Sequence, residues 1–344
     1  MEKRTKIIGG FAILLLLMCL GVGGAVYYYL FAPQFYPAKT AYVYVDRDDT
    51  VDSIYNKVKS AGKVRTMKGF VWMAKYRNFE RQIHTGRYAI RPRENVYHVF
   101  SRFYRGYQQP LNLTIGSVRT LDRMARNIGN RLMIDSAEIA SVLTDSLTVA
   151  RLGYTPQTLP ALFIPNTYEV YWDISTSDLL ERMQREHRTF WNAARLAKAD
   201  SLHMTPEEVA TLASIVEEET NAVAEMPMVA GLYINRLRKQ MPLQADPTIK
   251  FALNDFGLRR ITNAQLTVDS PYNTYRYAGL PPGPIRIPSP VALDAVLNYV
   301  RHNYIYMCAK EDFSGTHNFA SNYGEHMKNA KRYWNALNKR KIFR

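Results

Sequence analysis

Cysteine is almost missing from this chain of 344 residues, which carries only Cys19 and Cys308. Cys19 lies within a long apolar run, so the remainder of the chain has a single thiol and no internal disulfide. Cys308, in the stretch Tyr304 to Ala309, reads as a small hydrophobe packed in a buried strand rather than as a nucleophile. Histidine is also sparse. Its seven copies are scattered and form no H-E-x-x-H pattern, so no metal and no cofactor is expected. There is no G-x-S-x-G elbow and no phosphate-binding loop. Ser60-Ala61-Gly62-Lys63 spells S-x-x-K, but no S-D-N or K-T-G partner follows it. Acidic residues are outnumbered, 30 against 45 Lys and Arg, for a net charge of +15, yet no compact run of five or more basic residues occurs. The excess is spread along the chain and describes a surface rather than a chemistry.

Charge is wholly absent from Ile7 to Phe31, a run long enough to span a bilayer. Lys3, Arg4 and Lys6 outweigh Glu2 ahead of it, and Tyr27-Tyr28-Tyr29 lie near its far end, where an interfacial aromatic belt belongs. The positive-inside rule leaves the amino terminus in the cytoplasm and exports everything after Phe31. The expected location is therefore the inner membrane, single-pass, with the body in the periplasm or otherwise outside the cytoplasm. A cleaved signal peptide is the competing reading, with Gly23-Gly24-Ala25 as a processing site, but the apolar run continues past it. Behind such an anchor the basic surface would meet anionic lipid head groups or peptide carboxylates outside the cytoplasm, and no nucleic acid is an expected partner.

The most specific chemistry lies in one helix. Thr205 can cap it, Pro206 suits its first turn and Glu208 completes a capping box. Val209, Leu212, Ala213 and Val216 recur at helical spacing and mark a buried face. At about 100° per residue, Glu219 falls beside Leu212, between it and Ile215, on the flank of that face. Glu218 points away into solvent, and Glu217 takes the other flank. A carboxylate against apolar neighbours is desolvated, which raises its pKa and keeps a proton available near neutral pH, as a general acid requires. On helix geometry alone, three consecutive glutamates also read as a solvated helix end.

Downstream run Ile234-Asn235-Arg236-Leu237, Leu243-Gln244-Ala245-Asp246-Pro247-Thr248, Ser270-Pro271-Tyr272-Asn273-Thr274-Tyr275, Gly279-Leu280-Pro281-Pro282-Gly283-Pro284-Ile285 and Gly315-Thr316-His317-Asn318-Phe319. With Leu212 to Thr220, these segments resemble the YceG-like endolytic murein transglycosylases from the apolar run to about Lys328. In that family the helix motif is roughly A-S-I-(I/V)-E-x-E-T and its second glutamate is catalytic; the resemblance assigns that role to Glu219 and matches Glu217 to the first. It offers Glu217, Asn235, Arg236, Gln244, Asp246, Tyr272, Asn273, Tyr275, His317 and Asn318 as substrate-binding candidates. One departure stands out. The family segment L-E-G-x-x-F-P-D-T-Y reads here Leu159 to Tyr168, with Pro160 for the usual glutamate and Asn166 for the usual aspartate.

The resemblance implies cleavage of the β-1,4 bond between N-acetylmuramic acid and N-acetylglucosamine in nascent peptidoglycan, leaving 1,6-anhydromuramic ends and terminating strand elongation. Its implied partners are peptidoglycan glycan strands, inner-membrane lipid and peptidoglycan synthases. A non-catalytic peptidoglycan-binding scaffold of the elongation machinery is the alternative. An ordinary glycosidase would need a second acid about 5 to 10 Å from the first. Asp246 is a candidate, although Asp-Pro-Thr also reads as a plain helix cap.

The expected fold class is α+β: an N-terminal transmembrane helix, a LysM-like α/β subdomain and a mixed α+β catalytic domain. Ala41 to Val45 reads as a strand, followed by a helix with Val51, Ile54, Tyr55 and Val58 inward and Asp49 or Thr50 as cap, an opening that resembles a LysM module. The expected division is a cytoplasmic tail (1–6), the span (7–31), a stalk (32–40), the LysM-like part (41–108), a connecting strand–helix region (109–158) and the catalytic part (159–344). Further helices start at Pro227, Pro247 and Pro290. Six prolines and two glycines from Ser270 through Pro290 exclude regular structure ahead of Pro290 and predict a rigid loop. Its Tyr272, Asn273, Tyr275 and Tyr277 suit sugar binding, unless they simply pack, in a chain with 24 tyrosines.

Overall fold

The computed structural model describes residues 2–258 and 260–340. The chain divides into two compact units, Met1–Asn112 with Glu169–Ile174 and Leu113–Tyr168 with Ser175–Arg344. The first begins with α1 (Glu2–Val26), which runs into a π-helical turn, Tyr27–Phe31. Ile7–Phe31 is long and apolar enough to cross a membrane. There follow β1 (Pro33–Phe35), β2 (Ala41–Val45), α2 (Val51–Gly62), α3 (Lys68–Tyr76), β3 (Gly86–Ile90), β4 (Glu94–Asn95) and α4 (Val96–Tyr104).

Thr50 caps α2 by accepting a hydrogen bond from the Ser53 amide at 3.2 Å, and Ile54 and Val58 on its inner face are fully buried. β2 and β3 pair antiparallel from Ala41↔Ile90 to Val45↔Gly86 and enclose α2 and α3 in sequence, a strand–helix–helix–strand order. Their core is aromatic, with Phe70 edge-on to Phe100 and Phe103. The segment expected to be a free stalk is not one. Pro33 pairs with Asn95, and Gln34 and Phe35 are completely buried. The aromatic side chain of Phe35 has more apolar surface to lose than a solvated stalk can hold, and it joins the core.

The second unit comprises β5 (Leu111–Ile115) from Leu113 on, α5 (Leu121–Gly129), α6 (Ser136–Thr144), α7 (Ser146–Arg151), β6 (Asn166–Val170) as far as Tyr168, α8 (Thr176–Phe190), α9 (Ala193–Leu202), α10 (Pro206–Glu219), α11 (Met226–Arg238), α12 (Asp246–Ala252), α13 (Pro290–Leu297), β7 (Tyr306–Ala309), β8 (His317–Ala320) and α14 (Tyr323–Lys339). The expected helix starts at Pro206, Pro227, Pro247 and Pro290 all lie in first turns. The α10 capping box is complete: Thr205 accepts from the Glu208 amide at 3.2 Å, and Glu208 accepts from the Thr205 amide at 2.8 Å.

α10 is the hub, packed by α11, α12 and α13. Every residue from Val209 to Val216 is buried, so this helix has no solvent face along its middle. The stretch 270–289 has no helix or strand, as its composition predicts. It is fastened to the hub where Ser214 accepts from the Ile285 amide at 3.0 Å. Gly283 is required there, because a Cβ would sit 2.0 Å from the carbonyl oxygen of Gln157. The strand expected to be buried around Cys308 is β7; it is half-buried and forms a hairpin with β8, Cys308 opposite Asn318 and Ala309 opposite His317.

Candidate active site

Glu219 ends α10, with the helix behind it fully buried and one side open to a cleft of about 240 Å³. The cleft is also lined by Tyr233, Arg236, Gln244, Asp246, Tyr275 and His317, among others. A larger hollow of about 560 Å³ lies at the opposite end of α10, but its Glu208 is engaged in the capping box. Tyr233, buried on α11, donates its hydroxyl to Glu219 Oε1 at 2.8 Å. Burial drives the Glu219 carboxyl up to about 7 from an ordinary 4.5; the nearby Asp246 charge adds to the rise, while the Tyr233 hydrogen bond, His317 and Lys250 oppose it. Glu219 thus keeps a face toward the cleft and holds its proton near neutrality.

The neighbouring glutamates do different work. Glu217 Oε2 accepts from the Ser289 amide at 2.9 Å, tying the end of α10 to the start of α13. Glu218 does not face solvent as helix geometry alone suggested. Arg119 grips it with two hydrogen bonds of 2.7 and 2.8 Å, and Arg286 reaches it at 3.0 Å, leaving the side chain 11% exposed. Arg119 lies 99 residues upstream, beyond the reach of any local pattern.

The substrate candidates separate into two groups. Arg236, Gln244, Asp246, Tyr275 and His317 meet in the cleft with Glu219. Arg236 is 7% exposed and its Nε and Nη1 donate to the carbonyls of Ile305 and Leu243, each at 2.7 Å. Burial lowers its pKa, and no carboxylate among the described residues pairs with it. Asp246 is not the cap of α12: Ala245 holds that position, and the Asp246 carboxylate instead accepts the Tyr275 hydroxyl at 2.5 Å. A second acid therefore stands in the cleft, exposed and already hydrogen-bonded.

His317 is oriented by Glu225, a residue that the sequence did not single out. Glu225 accepts from the His317 amide at 2.6 Å, lies 2.9 Å from His317 Nδ1, and accepts the Thr220 hydroxyl at 2.9 Å. A Glu225–Nδ1 hydrogen bond leaves Nε2 as the imidazole's remaining polar atom. Tyr233 was likewise missed; its position four residues past Val229 on an apolar helix face reads as ordinary core, and only the fold places its hydroxyl against Glu219.

The remaining candidates hold structure. Asn235 donates to the carbonyls of His302 and Tyr304 at 2.7 and 3.0 Å. Tyr272 packs against Phe251, ring centres 4.6 Å apart. Asn273, expected as an exposed sugar ligand, is wholly buried: its amide donates to Leu266 and Val268 carbonyls and its oxygen accepts from the Tyr275 amide. It shapes the rigid loop that presents Tyr275. Asn318 donates to Glu311 at 2.7 Å, and Tyr277 to Asp269 at 3.0 Å. Cys308 does line the cleft, but burial raises its thiol pKa, so it stays a neutral wall. At the departure from the family segment, Asn166 accepts from its neighbour's amide, Thr167, at 2.8 Å, and Pro160 is the second residue of a short 3₁₀ turn, Leu159–Leu162.

Comparison with known proteins matches residues 43–332 to the YceG-like family. A protein of Bacillus subtilis named endolytic murein transglycosylase is 25% identical over 340 residues, covering 93% of this chain and 92% of its own length. A Streptococcus pneumoniae protein of the same name is 24% identical over 326 residues and 85% of this chain, which spans only 58% of that relative's length. The crystal structure of a YceG-like protein from Listeria monocytogenes superposes with a TM-score of 0.58 at 26% identity, over 85% of this chain and 99% of the other.

Proposed function

The chain belongs to the YceG-like family, and from that premise we propose that it is an endolytic lytic transglycosylase of the cell wall. Its substrate is the bond between N-acetylmuramic acid and N-acetylglucosamine within nascent peptidoglycan strands. The observation that carries this reading is a carboxylic acid that keeps its proton to about pH 7, at the mouth of a polar cleft, held by one tyrosine. Protonated Glu219 gives its proton to the glycosidic oxygen as the C1–O4 bond breaks. The resulting carboxylate accepts the proton of the muramic acid 6-hydroxyl, whose oxygen closes on C1. A 1,6-anhydro end forms, no water is consumed, and the acid is regenerated.

The cleft's other groups have roles that follow from their chemistry. Tyr233 fixes the rotamer of Glu219 and stabilises its carboxylate between the two proton transfers. Arg236 supplies a positive charge with no carboxylate partner among the described residues, suited to anionic groups on muramic acid or its stem peptides. His317, oriented by Glu225, and Tyr275, held by Asp246, offer polar groups to sugar hydroxyls.

Asp246 favours one other reading, hydrolysis, in which a second carboxylate activates water. Its hydrogen bond from Tyr275 engages one oxygen and suits a positioning role instead. A non-catalytic scaffold would have no use for an enclosed acid with a raised pKa. The working location is the outer face of the cytoplasmic membrane, with Ile7–Phe31 as a retained anchor, the first unit as a LysM-like wall contact, and peptidoglycan synthases as partners whose strands are cut during growth. Glu219→Gln keeps the side chain's shape and removes its titration. It should abolish glycan cleavage while circular dichroism and Tm stay near those of the parent; retained cleavage would remove Glu219 from the mechanism.

A further inference from the structure

The first unit carries an apolar groove of about 340 Å³ that no step above uses, formed where α3 lies along the end of α1. Val22, Ala25, Val26 and Tyr29 form one wall, and Lys68, Gly69 and Trp72 the other. The approach is close: a Cβ on Gly69 would fall 2.2 Å from the Tyr29 carbonyl oxygen, so only glycine lets the two helices meet. Next to the groove Trp72 and Tyr76 are 55% and 72% exposed, their rings stacked nearly parallel with centres 5.4 Å apart. Two large aromatic side chains side by side in water are costly unless something covers them.

Depth identifies the cover. The apolar run is 25 residues, Ile7–Phe31, whereas the hydrocarbon core needs about 20. Counted from Ile7, the hydrocarbon ends near Val26, so Val22 and Ala25 lie at the level of lipid acyl chains. Trp72 shares a groove with them and is carried to the same level. Tryptophan and tyrosine are the side chains that settle at this boundary, with an apolar ring body and a polar edge. The flanking charge agrees: from Lys63 to Arg81 there are six basic residues and one acid, Glu80, and Lys68 borders the groove itself. Basic residues there would meet phosphate groups of anionic lipids.

The geometry points to α3 as a second membrane contact: Trp72 and Tyr76 enter the outer leaflet beside α1, a phospholipid acyl chain occupies the α1–α3 groove, and Lys68 meets the lipid phosphate. This rests on the reading of Ile7–Phe31 as a retained membrane anchor. It makes the first unit sit on the bilayer rather than swing above it from a single helix.

The test uses the full chain in phosphatidylglycerol–phosphatidylethanolamine liposomes whose acyl chains carry bromine, which quenches tryptophan on contact. Parent protein should float with the liposomes and lose part of its tryptophan emission to the bromolipid. Trp72→Phe should float equally and lack that quenched part. Lys68→Glu should weaken the quenching most in liposomes rich in phosphatidylglycerol. Equal quenching of parent and Trp72→Phe in floating protein overturns the α3 contact while leaving the anchor intact, and identifies the groove's occupant as something other than lipid. Failure of the parent to float overturns the anchor and the proposal with it.

Discussion

At the scale of single residues, Glu219 owes its chemistry to where a helix ends. Its pKa is raised from 4.5 to about 7, so folding favours the protonated form. The stability this group contributes is full below about pH 4.5 and is lost as pH rises through about 7. Activity that needs the proton should decline over the same upper limb. Tyr233 lowers that pKa by hydrogen-bonding the carboxylate, so Tyr233→Phe should move the alkaline limb of a kcat–pH profile upward by about one unit. An unmoved limb would mean that another group sets it. The desolvated position of Glu219 was legible from the sequence because helix periodicity puts it on the flank of the buried face, and the motif proposes the same residue as the acid. Tyr233 was not, since it looks like core, and neither was Glu225, which lies 92 residues from the candidate His317 that it orients.

At the scale of elements, caps and proline starts located helices well because they depend on neighbouring residues only. Pairings across the chain were invisible: the strand Pro33–Phe35 was expected to be a stalk, and Glu218 was expected to be solvated although two arginines hold it. Glu218→Gln therefore ceases to be a silent control. It leaves Arg119 and Arg286 without their carboxylate and should lower stability by about 2 kcal/mol in urea unfolding, with turnover per folded molecule retained. The proline-rich loop was legible as lacking helix and strand, but not the buried side chain that fastens it. Asn273→Ala removes three buried hydrogen bonds and should cost roughly 3 kcal/mol, with activity lost in proportion to folded protein. A normal Tm with low turnover would return Asn273 to the substrate.

At the scale of the whole molecule, the retained anchor proposed at Ile7–Phe31, with the basic residues ahead of it on the inside, predicts a body outside the cytoplasm. A reporter fused after Arg344 should work only if its activity requires export; activity from a cytoplasm-only reporter would reverse that topology. The central claim is that one acid cuts glycan strands without water, and the mass of the product ends tests it most directly, because anhydro and reducing ends differ by one water. Parent protein acting on purified, uncrosslinked peptidoglycan strands should yield anhydro-ended fragments cut from within the strand. Glu219→Gln should yield none, and Asp246→Asn should still yield anhydro ends at whatever rate remains. Reducing ends from the parent, or anhydro ends persisting in Glu219→Gln, would contradict a single-acid transglycosylase.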